Sequence, residues 1–140
     1  MKGVTTRKAL IYTANTSGAE VPIGNTVPVG SIIRRYGRCI DATGSAINLQ
    51  ESGYYLVDIS ATVTAAVAGD VVLALTQDGV PVPGARAAVT ITTATTQTET
   101  LGITAMIRVM CCGNANLSVL VDGTAAPTIE NMAFRAVKVV

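Results

Sequence analysis

Residues 53 to 65, GYYLVDISATVTA, alternate apolar and polar side chains almost without interruption. Tyr55, Val57, Ile59, Ala61, Val63 and Ala65 fall on one side. Tyr54, Leu56, Asp58, Ser60, Thr62 and Thr64 fall on the other. A period of two sends successive side chains to opposite faces of an extended chain, so this stretch fits a half-buried strand and little else. The pattern breaks at Ala68-Gly69-Asp70. A second run follows, with Val71, Leu73 and Leu75 on one side, and stops at Asp78-Gly79. That dipeptide accepts the positive φ of a tight hairpin turn. Val80 to Pro83 then reads as a short extended piece ending at Gly84. Antiparallel β architecture is the expectation.

The flanking sequence agrees. Residues 7–14 read as a first strand, 15–18 as a turn, and Val21–Ile23 and Val27–Val29 as short pieces that Pro22 and Pro28 confine to edges or loops. Residues 31–35 suggest another short strand, and 38–41 with 46–49 a hairpin across a Thr-Gly-Ser turn. A strand over 85–92 precedes TTATTQTET, which fits either a loop or an exposed edge strand. Leu101, Ile103, Ala105, Ile107 and Val109 repeat the clean alternation. Strands over 115–122 and 128–140 close the chain. No segment carries a 3.6-residue period. The expected fold is all-β, an antiparallel sandwich or jelly roll of about ten short strands.

At 140 residues the chain suits a single domain, 1–140, within which 1–35 is read as an N-terminal strand and an arm or base region. Hydrophobic residues make up 49% but aromatic residues only 4%, so the core is built from small side chains, mainly Ala and Val. Such a core contributes little burial per residue. Charged residues, at 14%, are sparse. Both features point to an extensive, charge-depleted subunit interface. The net charge of +1 points to neither nucleic acid nor an anionic membrane, and no apolar run is long enough to span a bilayer. The amino-terminal residues show no secretion-type apolar region and no collagen-like stalk, so a cytosolic origin is expected.

Catalytic and metal chemistry finds little to work with. The absence of histidine removes the usual general base and the commonest metal ligand. Cys39, Cys111 and Cys112 form neither a disulfide framework nor a zinc-ligand set, and read as reduced thiols. Asp70, Asp78 and Asp122 sit at turns, where aspartate favours the backbone geometry. Gly79 and Gly84 lead into Ala85-Arg86, which is no phosphate loop. No enzyme activity and no cofactor are expected. Arg34, Arg35 and Arg38 form the one basic cluster, read either as a solvated face or as a contact with an acidic partner surface. Tyr54 and Tyr55 point to opposite faces, Tyr55 to the core. Tyr54 is left to a subunit interface or to solvent, where stacking on a sugar stays open.

Several motifs, in order, resemble the jelly rolls of tumour necrosis factor and the complement globular heads. The likeness is to their bacterial and phage branch, typified by the tip of collagen-like exosporium glycoproteins. The motifs are Val21-Pro22-Ile23-Gly24, Ile47-Asn48-Leu49, Gly53-Tyr54-Tyr55-Leu56-Val57, Asp78-Gly79-Val80-Pro81-Val82-Pro83-Gly84, and the ending Asn131 to Val139. The resemblance implies a ten-stranded trimer working in recognition or structure. It places the sheet holding the Gly53 strand, the 115–122 strand and the last strand toward the threefold axis. Tyr54, Leu56 and Ser60 are then expected at the trimer interface. The expected role is a homotrimeric phage capsid decoration or head-fibre protein on the virion surface, bound to the major capsid protein or another particle-surface protein. Arg34, Arg35 and Arg38 are the candidate shell contacts. A spore-surface protein and a host-glycan-binding adhesin are the alternatives.

Overall fold

In the computed structural model, residues 8–110 and 113–140 are described. Ten strands appear in chain order: β1 (Leu10–Asn15), β2 (Ser31–Tyr36), β3 (Ile40–Thr43), β4 (Ala46–Leu49), β5 (Gly53–Ala65), β6 (Gly69–Gln77), β7 (Val80–Ile91), β8 (Glu99–Val109), β9 (Ala115–Gly123) and β10 (Pro127–Lys138). They form two five-stranded antiparallel sheets, ordered β2-β1-β10-β5-β8 and β3-β4-β9-β6-β7. Among the described residues there is no helix.

The alternation in β5 does what its period requires. Tyr55, Val57, Ile59, Ala61, Val63 and Ala65 are buried between the sheets, and Tyr54, Leu56 and Ser60 face outward. β10 and β8 flank β5 on its two sides, so this strand is held along its whole length. The buried faces of both sheets meet in one continuous core, in which Tyr55 and Phe134 are the largest fully buried side chains. Small residues suffice because two stacked sheets leave only about 10 Å between backbones.

Three expectations are revised. Residues 115–122 do not share a sheet with the Gly53 strand: β9 lies in the opposite sheet, between β4 and β6. Alternation tells which face of a strand is apolar, but not which sheet the strand joins. Val80–Pro83 and residues 85–91 are one strand, β7, with a register shift opposite β6. Its prolines are tolerated because β7 is an edge strand, where missing N–H groups interrupt no ladder. The β6 run is buried on both sides from Val71 to Thr76, since Val72 and Ala74 are small residues enclosed by β7 and β9.

The threonine-rich stretch is a loop over 92–98 rather than an edge strand, and Gln97 organises it. Its side-chain oxygen accepts from the Thr92 and Thr93 amides, while its amide nitrogen donates to the Thr90 carbonyl and to Glu99. Segment 16–30 runs beside β9, where the amides of Gly24 and Val27 donate to the carbonyls of Val121 and Val119. Gly30 has to be glycine: its φ is +85°, and a Cβ there would lie 2.1 Å from the Ala14 carbonyl oxygen.

The strand order gives the sandwich two unlike ends. Lys8, the 37–39, 50–52 and 78–79 turns, Met110, residues 113–114 and Val140 lie at one, here the basal end. The 44–45, 66–68, 92–98 and 124–126 turns lie at the other, the distal end.

Candidate functional site

The outward face of the β2-β1-β10-β5-β8 sheet is layered by the strand register. Near the basal end, Tyr36, Leu10, Val137, Leu56 and Met106 stand side by side, one from each strand. Directly opposed residues of an antiparallel pair share a face, so these side chains form one apolar row across the sheet. All five are exposed, Leu56 at 43% and Met106 at 55%. The next row carries Arg34, Tyr12, Arg135, Asp58 and Thr104, and Arg135 is ion-paired with Asp58. The third holds only small residues, Ser31, Ala14, Ala133, Ser60 and Gly102. A continuous exposed apolar row on a folded domain marks a surface that something else covers.

Tyr54, Leu56 and Ser60, the expected interface residues, all lie exposed on this face. Leu56 is central to the apolar row. Ser60 lies in the small-residue row, where a second backbone can approach closely. Tyr54 lies basal to both rows, and the Arg108 guanidinium stands 5.9 Å from its ring centroid, within cation–π range. The other four members of the row escaped the sequence reading because they come from four further strands. Only the register aligns them. The signal available in the sequence was an apolar residue on an otherwise polar face, such as Met106 between Thr104 and Arg108.

Arg34, Arg35 and Arg38 are close in sequence but separate in space. Arg34 belongs to the charged row beside Tyr12. Arg35 turns the other way and ties the two sheets together at their open edge, donating to the Ile40 carbonyl at 3.0 Å and lying 3.6 Å from Asp41. Arg38 lies exposed in the basal 37–39 turn. A β-bulge between Tyr12 and Thr13 shifts the register of β2 against β1.

Also at the basal end, the Lys138 ammonium is nearly buried and donates to Glu51 at 2.5 Å. The Tyr55 hydroxyl donates to the Glu51 carbonyl at 2.7 Å. Burial, with the Cys39 thiol and Glu51 close by, pushes the Tyr55 phenol well above its ordinary range. This cluster joins the last strand to the turn before β5. Its groups are held by one another, which makes it a structural clasp. Cys39 is buried and unpaired, and Cys111 and Cys112 lie outside the described residues. Among the described residues no cluster of His, Cys, Asp or Glu has a metal-site arrangement, and no helix is long and apolar enough to cross a membrane.

Two five-stranded sheets in this order define a jelly roll of the tumour necrosis factor and complement-head type. Solved structures share it. The globular domain of zebrafish complement 1qA superposes with a TM-score of 0.72 at 9% identity, covering 96% of this chain and 98% of that one. Murine APRIL gives 0.68 at 13% identity, over 95% of this chain and 100% of that one. The PRD1 vertex protein P5 gives 0.58 at 15% identity, over 94% of this chain and 73% of that one. These identities establish a common fold. No family model and no curated relative matches the sequence.

Proposed function

We propose that this chain is a non-enzymatic structural module that assembles as a homotrimer on the surface of a phage particle, as a capsid decoration or head-fibre protein. The observation that carries the reading is the exposed apolar row through Tyr36, Leu10, Val137, Leu56 and Met106. Its five side chains span the full width of one sheet, and a second copy of the chain is the simplest surface to cover them. The charged row beside it and the small-residue row beyond fit a contact that is apolar at one level and close-packed at another. Closed cyclic symmetry uses one pair of patches repeatedly and leaves no unmatched edge. Tyr54, Leu56 and Ser60 are the interface residues of this reading.

The particle-surface role draws support from two sources. One structure sharing the fold is named for a vertex, a position on a particle. The order of sequence motifs resembles phage and bacterial surface jelly rolls. Light scattering at micromolar concentration tests the assembly, with about three times the 14.3 kDa chain mass expected. Co-sedimentation with particles assembled without the chain tests the location. A stable monomer removes the first part, and a trimer that ignores such particles removes the second.

A further inference from the structure

The charges of this nearly neutral chain are sorted along the long axis of the sandwich. Glu20, Asp70, Glu99, Asp122 and Glu130 all belong to the distal part. The distal turns at 44–45, 66–68, 92–98 and 124–126 contain no charged residue at all, and no described Lys or Arg accompanies those carboxylates there. The basal end is the reverse. Glu51 is ion-paired with Lys138 and Asp41 with Arg35, while Asp78 accepts from the Asn116 backbone amide at 2.9 Å and keeps its charge. Lys8, Arg38 and Arg108 have no ion-pair partner among the described residues. A net charge of +1 therefore conceals a molecule that is basic at one end and acidic at the other.

The basal end is also where apolar side chains are most exposed. Val80, Met110 and Val140 are 66%, 63% and 65% accessible. Beside the β6–β7 turn a groove of about 340 Å³ is lined by Val80, Pro81, Val82 and Pro83 together with Gln77 and Asp78. These residues belong to the second sheet, apart from the apolar row of the first.

We infer that the basal end is the docking face of the module, and that it takes a protein surface carrying both carboxylates and apolar side chains. This rests on the particle-surface reading and specifies which end of the module touches the particle and with what chemistry. Arg108 lies on the groove side, where the Gln77 side chain donates to its carbonyl, and Lys8 and Arg38 lie across the basal end beside β1 and β3, so carboxylates on a partner surface complement the basal end as a whole. The acidic distal end is repelled by the same surface, so an encounter the wrong way up is disfavoured before contact. The apolar groove and its prolines set the partner apart from a nucleic acid backbone, which would need a continuous basic track.

The test uses the full-length chain, particles assembled without it, and three variants chosen away from the apolar row. Lys8→Glu with Arg38→Glu reverses the basal charge, and Val80→Asp alters the groove. Glu99→Lys with Glu130→Lys reverses the distal charge. Oligomeric mass is checked for each. The expected result is at least a roughly tenfold loss of co-sedimentation for both basal variants, little change for the distal variant, and weaker binding of the unmodified chain as salt rises. Basal variants that bind as well as the unmodified chain overturn this inference alone, as does loss of binding confined to the distal variant. An unmodified trimer that fails to sediment with particles overturns the particle-surface reading and this inference together. A labelled single-stranded oligonucleotide supplies the remaining arm: binding that the Lys8→Glu, Arg38→Glu variant abolishes overturns the protein partner in favour of nucleic acid.

Discussion

Replacing Leu56 by Asp should dissociate the assembly while leaving the protomer folded. Leu56 is 43% exposed in the single chain, so its isopropyl group is partly covered already by Val137 and Met106 on either side. Burying a whole leucine side chain is worth about 1.5–3 kcal/mol, and the remaining share comes to about 1 kcal/mol per subunit. Leu56→Ala should therefore cost about 3 kcal/mol per trimer, roughly two powers of ten in the association constant. Aspartate is far worse. It places one carboxylate per subunit in the contact, where desolvation costs several kcal/mol per charge and the diagonal neighbours Arg108 and Arg135 on the same face offset only part of it. In the isolated protomer the same carboxylate meets water at little cost. Sedimentation equilibrium should show monomers at concentrations where the unmodified chain is trimeric, and the far-UV β signal should persist. Arg86→Glu, on β7 of the other sheet, is the control and should leave the mass unchanged. A Leu56→Asp protein of unaltered trimeric mass would refute the argument that the apolar row is the contact.

Other outcomes follow from local geometry. Gly30→Ala should lower the urea midpoint: strain at φ +85° is worth about 1–3 kcal/mol, and the new methyl group meets the Ala14 carbonyl. An unchanged midpoint would mean that the 16–30 segment shifts at no cost. The raised Tyr55 phenol favours the protonated form in the folded state. Its stabilising effect is complete below the unfolded tyrosine value near pH 10 and is lost as pH climbs above it, by about 1.4 kcal/mol per pH unit. Denaturant titrations between neutral pH and pH 11 should show that fall, and Tyr55→Phe should flatten it while lowering stability at neutral pH by removing the hydrogen bond that the Tyr55 hydroxyl donates to the Glu51 carbonyl. Replacing Cys39, Cys111 and Cys112 together by Ala should preserve the oligomer at a cost of about 1 kcal/mol per buried site. Loss of the oligomer on reduction of the unmodified chain would instead indicate a structural disulfide.

The fold was legible in the sequence wherever one strand face is buried and the other exposed. β5 and β8 announce themselves through Tyr55 to Ala65 and Leu101 to Val109, because a period of two leaves one choice of core face. Turns were legible where backbone chemistry demands it, as at Asp78-Gly79, where Asp78 has a φ of 53°. What failed was partnership between distant strands. The run 115–122 alternates equally well in either sheet, and only its pairing with Ile47–Leu49 and Val71–Gln77 fixes the choice. The candidate interface was partly legible for the same reason: Leu56 reads as an outward leucine, whereas its neighbours at positions 10, 36, 106 and 137 are found only through the register. The arginines show the opposite error, since closeness along β2 does not survive the alternation of faces and the turn at Gly37.

β10, the last strand, lies at the centre of its sheet, with β1 and β2 on one side and β5 and β8 on the other. During synthesis the hydrogen-bonding edges of β1 and β5 that β10 will fill stay open until residues 127–138 have been made. The earlier residues can form the β5–β8 pair and much of the second sheet, but the first sheet remains in two unconnected parts. Closing it joins residues more than a hundred positions apart, Leu10 with Val137, a slow kind of contact to find. The order of manufacture thus makes completion of the first sheet a late event. Any pause or truncation before Pro127 leaves a chain with two exposed strand edges and a strong tendency to pair with its neighbours.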